Sequence, residues 1–164
     1  VDLSTEQVLL PEEFALAVHA ATNRFITQAN KDARGGHRDP EQQAAKRMTN
    51  DILGAMGEIA VAKAYGRYFV PRLNVFHNKS DLFDDIEVRA APIQNGSLIL
   101  RDNDPDFRRY LLVIVDELRC SLRGWCYGYE REELGTLRDP NNMGAAHFIP
   151  QNKLHKMQDL IVDF

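Results

Sequence analysis

Six consecutive apolar or aromatic residues, Tyr110 to Val115, constrain the fold of this chain more than any other feature. A strand with one wet face alternates apolar and polar residues, whereas an unbroken run reads as a strand covered on both faces. Such a strand needs a sheet with packing on either side of it. The 164 residues suffice for one domain, expected to span 1–164. Hydrophobic residues at 44% and charged residues at 27% can supply both a core and a wet surface.

Helical periodicity precedes that strand. Phe14, Ala17, Val18, Ala21 and Phe25 recur at helical spacing between Pro11 and about Asn30, and Glu12 and Glu13 favour the positive end of the helix. Lys31 to Arg38, with Gly35, Gly36 and three basic residues, reads as a loop. A second helix starts at Asp39, Pro40 and Gln42 and ends near Tyr65, where Gly66 supplies a stop. Met48, Ile52, Met56, Ile59 and Lys63 lie along one of its stripes.

After Gly66 the period changes. Short strands are expected at Leu73–Phe76, Asp85–Ala91, Leu98–Leu100, Leu122–Tyr129 and Ala145–Ile149, besides the run at Tyr110. Asp104 and Asp106 are expected to cap a short helix through Arg108 and Arg109, and Gln151 to about Leu160 reads as a closing helix. The expected class is α/β, a central mixed sheet flanked by helices, two of them N-terminal to it.

Several function classes are excluded or weakened. No apolar run approaches the roughly 20 residues of a membrane span. Val1 to Leu10 carries Asp2 and Glu6 and no basic region, so it does not read as a signal peptide. Cys120 and Cys126 form no CxxC and are expected to be reduced thiols of a cytoplasmic protein. The net charge of -4 speaks against non-specific coating of nucleic acid. It leaves room for a nuclease, whose site clusters carboxylates that bound cations offset. GxxxxGK, GxGxxG and GxSxG are absent, and the five histidines show no metal-ligand spacing.

Two stretches carry chemistry. Gly54, Gly57, Glu58 and Val61 share a face of the second helix. Interior glycines cost about 1 kcal/mol each relative to alanine, a cost usually offset by close approach to another element. A carboxylate pressed against the sheet there needs a partner or a metal. On the strand, Glu87 and Arg89 share a face, roughly 6–7 Å apart, while Ile86 and Val88 point the other way. Asp81 opposes Glu87 if Phe83–Asp85 is a three-residue turn, and points away if the turn is Asp84–Asp85 alone. Both arrangements stay open.

Gly-Glu-x-Ala-x-Ala on a helix, then an Asp, then Glu-x-Arg on a strand, resembles the PD-(D/E)XK nuclease superfamily, and a group of small phage-type proteins with that restriction-endonuclease-like core. The similarity runs from about Pro11 to Met157 and is clearest over 54–116. The resemblance implies a DNA nuclease of a bacterial or phage-infected cell. Its metal ligands for Mg²⁺, with Mn²⁺ as the alternate ion, would be Glu58, Asp81, Glu87 and the Val88 carbonyl. Many such proteins dimerise. Ser80 replaces the motif's proline, and Arg89 replaces its lysine. Arginine, with a pKa above ~12, cannot act as a general base. It can orient a water or stabilise transition-state charge.

Each candidate has a plainer alternative. Glu58 could be a helix-face glutamate paired with a nearby base, Asp81 a turn former, and Glu87 with Arg89 a face of cross-strand ion pairs. An inactive member of the fold that binds DNA or protein is the corresponding alternative for the whole chain. His77 could reach the cleft. Trp125 with Tyr127 and Tyr129 is more often core than a base-stacking platform. Lys31, Arg34, Arg38, Lys46 and Arg47 could track a phosphate backbone, although a solvated loop is the plainer account.

Overall fold

The structure, a computed structural model, describes residues 4–32, 40–69, 85–140 and 144–162. In chain order it contains β1 (Glu6–Val8), α1 (Pro11–Asp32), α2 (Pro40–Ala64), β2 (Ile86–Ala91), β3 (Leu98–Leu100), β4 (Arg109–Asp116), β5 (Arg119–Tyr127), α3 (Arg131–Leu134), β6 (Thr136–Arg138) and β7 (Ala146–Ile149). A four-stranded sheet has the order β1-β5-β4-β2, and a three-stranded sheet the order β3-β7-β6. The class is α/β with mixed pairing: β2 runs parallel to β4, and β5 antiparallel to it. Among the described residues no helix is long and apolar enough to cross a membrane.

β4 is buried along its whole apolar run. Leu111, Val113 and Val115 join a core with Ala17, Ala20, Met56, Ile59 and Val61 of the two long helices. Tyr110, Leu112 and Ile114 alternate to the other face. There they meet Leu98 and Leu100 of β3, Ile149 of β7 and Cys126 of β5. The result is three layers: helices, large sheet, small sheet.

α1 starts at Pro11, and the Glu13 carboxylate accepts from the Leu10 N–H at 2.6 Å. The same carboxylate takes the Lys63 ammonium at 2.8 Å, tying the first turn of α1 to the last of α2. Burial alone would raise the Glu13 pKa, but the Lys63 and Leu10 bonds outweigh it and lower the value. α2 stops where Gly66 takes φ +64°, the left-handed end that glycine adopts at least cost.

The segment 151–162 is not a helix. It makes two single 3-10 turns, Gln151–Lys153 and Met157–Asp159, with His155 between them exchanging backbone hydrogen bonds with Trp125 at 3.1 and 2.8 Å. Gly124, φ +147°, sits under this strap, where a Cβ would stand 2.6 Å from the His155 carbonyl oxygen. Nor does a helix follow Asp104 and Asp106; Arg109 already opens β4. α1 extends to Asp32, two residues beyond the periodic pattern. The strand expected at Leu73–Phe76 and most of the loop expected at Lys31–Arg38 lie outside the described residues.

Gly57 is a point of close approach between α2 and β2: a Cβ there would lie 3.2 Å from both the Ala90 Cβ and the Val88 Cγ1. Gly54 has nothing within 4 Å of the same position. Gly57→Val should therefore destabilise by about 1–3 kcal/mol through overpacking, while Gly54→Ala should gain up to about 1 kcal/mol of helix propensity. Urea denaturation reads both, and like signs would contradict the packing described. Burial pushes the thiol pKa of Cys120 up to about 11 and that of Cys126 to about 12. At pH 8 neither should react with a disulfide reagent until denaturant is added. Unfolded thiols ionise near pH ~8.5, so the folded state should lose stability as pH rises beyond that value. Prompt labelling of the native protein would contradict the burial.

Candidate functional site

On the helix side, the small residues Ala17, Ala20 and Ala21 let α1 lie close to α2. Arg24 continues that face, three residues after Ala21 and four after Ala20. Its guanidinium meets the Glu58 carboxylate in a two-pronged ion pair, Nη1–Oε1 2.6 Å and Nη2–Oε2 2.7 Å. Glu58 is 4% exposed. Asp51, two helical turns earlier on α2, lies in the same field: burial raises its pKa, against the charges of Arg24 and Arg47.

On the strand side, Val88 and Ala90 face Gly57 and the helix layer. Strand alternation sends Glu87 and Arg89 to the opposite face. Arg89 is anchored by Asp104 (Nη2–Oδ1 2.9 Å) and stands 3.8 Å from the Glu87 carboxylate. Arg108, 5% exposed, reaches Glu87 at 3.5 Å. The other Asp104 oxygen accepts from the Arg101 N–H at 2.8 Å. Tyr110 lies under Arg89, whose guanidinium carbon is 5.6 Å from the ring centre, and its hydroxyl donates to the Pro105 carbonyl. Burial foremost, with the charges of Asp104 and Glu87, pushes the Tyr110 hydroxyl pKa up.

The loop that carries Arg101 and Asp104 is pinned from behind. Buried Arg131 donates to the carbonyls of Gly128 (2.7 Å), Arg101 (2.6 Å) and Asp104 (2.7 Å), and to the Asp106 carboxylate. Arg109 fixes the start of β2 through a two-pronged bond to Asp85 at 2.5 and 2.6 Å. Beside β2 opens a cavity of about 420 Å³. Its lining includes Arg89, Arg101 and Asp104, together with Asn50 and Gly54 of α2.

Glu87 and Arg89 share one face, as their spacing predicts. Glu58 is bound to Arg24 on the helix side, whereas Glu87 lies on the face of β2 opposite Val88 and Ala90, against Arg108. Asp81, Ser80 and His77 lie outside the described residues, and with them the question of the turn. The Val88 side chain is buried in the core. Among the described residues no group of three or more His, Cys, Asp or Glu side chains converges as a metal site. Trp125 is core, its Nε1 donating to the Lys156 carbonyl at 3.1 Å. Sequence reasoning missed Arg24, Arg108 and Arg131. The Ala17, Ala21, Arg24 stripe was a usable signal for the first; the other two have partners set only by tertiary structure.

Compared with known protein families, curated proteins and solved structures, the chain matches none.

Removing one member of a buried ion pair strands the other. Glu58→Leu should cost about 3–5 kcal/mol, and the double variant Arg24→Met with Glu58→Leu should recover most of it. Additive losses in a double-mutant cycle would show that the two side chains do not depend on each other.

Proposed function

We propose that this chain acts on DNA as a Mg²⁺-dependent phosphodiesterase, the reacting phosphate being met on the Glu87–Arg89 face of β2. The observation that carries this reading is a carboxylate and a guanidinium two residues apart on one strand face, next to a cavity lined by Arg89 and Arg101 against Asp104. A local surplus of positive charge attracts a phosphodiester even where the whole chain is acidic.

Glu87, Asp81 and the Val88 carbonyl are the oxygen donors that suit a hard divalent cation. Mg²⁺ bound to them would supply an acidified water and polarise the phosphate. Arg89 is a permanent cation, so it takes no proton; it binds a phosphate oxygen and stabilises the charge that develops there. Asp104 orients Arg89, and Arg108 lies against Glu87. Glu58 commits both of its oxygens to Arg24, so coordinating a metal would compete with that pair. The pair fixes α1 on α2.

That clamp favours a second reading, a nuclease-fold module that binds DNA or protein without cutting. A carboxylate with both oxygens bonded to a guanidinium is a poor metal ligand. Plasmid and linear duplex incubated with Mg²⁺, Mn²⁺ or EDTA separate the two. The nuclease reading expects cutting with metal, none in EDTA, and a loss of about 100-fold in Glu87→Gln and in Asp81→Asn. DNA binding with no cutting under any of the three conditions leaves the silent module.

A further inference from the structure

We infer that the cavity beside β2 holds one unpaired nucleotide of a DNA strand, its phosphate between Arg89 and Arg101 and its base against the apolar floor. This deepens the DNA-acting reading and rests on it for the identity of the ligand. The volume of about 420 Å³ falls in the roughly 300–1,000 Å³ range of small-ligand sites. A base still in a duplex offers only its edge; one out of the stack can enter a recess of this size.

The lining suits such a guest. Ala90, Ala91 and Ile99 give it apolar surface, which a site for backbone phosphate alone would not need. Asn50 and Asn103, exposed at the rim, offer amide donors and acceptors to a base edge. Arg89 gives its Nη2 to Asp104, and its Nε is buried out of reach, so Nη1 is the donor left for a phosphate oxygen. Arg101 is fixed through its backbone, its N–H held by Asp104 and its carbonyl by Arg131, while the side chain stays exposed. Two guanidiniums thus flank the recess, Arg89 facing the Asp104 and Glu87 carboxylates and Arg101 exposed beside it.

The test uses the full chain in EDTA, with a labelled single strand of about 12 nucleotides and a blunt duplex of the same sequence, followed by anisotropy. The single strand should bind about tenfold or more tightly than the duplex. Arg101→Gln should weaken single-strand binding about tenfold and flatten its log–log salt dependence by about 0.7. Asn103→Ala should weaken binding without changing that slope, and Arg119→Gln, at the β4–β5 turn, should change neither. Circular-dichroism melts confirm that the surface variants fold. Equal binding of duplex and single strand, or an Arg101→Gln variant with unchanged affinity and slope, overturns the inference. With metal chelated, cutting plays no part in the readout, so a failed nuclease assay and a failed binding assay remain separate results.

Discussion

β4 delivers side chains into two cores at once, and the positions of Glu87 and Arg89 on the neighbouring strand follow from that. Its Leu111, Val113 and Val115 hold the long helices on one face, and its Tyr110, Leu112 and Ile114 hold the small sheet on the other. Because β2 pairs with it in parallel and in register, Glu87↔Tyr110 and Arg89↔Leu112, the polar face of β2 is committed to the small-sheet side. The Gly57 contact closes the opposite face. A one-residue slip would exchange the faces of β2 and put two charged side chains under α2.

Charge is organised around guanidiniums. Arg24, Arg108 and Arg131 are buried or largely so, and each meets carboxylates or carbonyls that would otherwise lack donors in a poorly hydrated interior. Breaking such a pair costs more than forming it gains, so these bonds specify geometry more than they add stability. Arg131 is the clearest case. Three of its bonds go to backbone carbonyls of the turn after β5 and of the 101–106 loop, so the first side chain of α3 sets where Asp104, and through it Arg89, stands.

Much of the fold was legible because it is written in local periodicity. The buried run of β4, the glycine stop of α2 and the shared face of Glu87 and Arg89 follow from side-chain period and glycine chemistry. The closing segment was misleading because Leu154, Met157 and Leu160 imitate helical spacing, while the His155 backbone is instead claimed by Trp125. The 101–108 loop was misread because Asp104 spends its oxygens on Arg89 and the Arg101 N–H rather than on a helix start. At the site, the plain alternative for Glu58, a helix-face glutamate with a basic partner, describes its bonding; the partner lies 34 residues earlier, beyond any local pattern.

The separation of Glu58 from Glu87 changes what a motif of spaced acids can mean here. Acids that share a motif need not share a site when a strand alternates between them and a helix supplies its own cation. Chemistry on the Glu87 side has to be built from what that face carries: a carboxylate, the arginines 89 and 108, and the loop held by Arg131. Such a set is stronger at gripping an anion than at gathering a cation, because every described acid within it already faces a guanidinium. On the proposed reading, cleavage on this face would need an acid from outside the described residues, whereas recognition of phosphate would not.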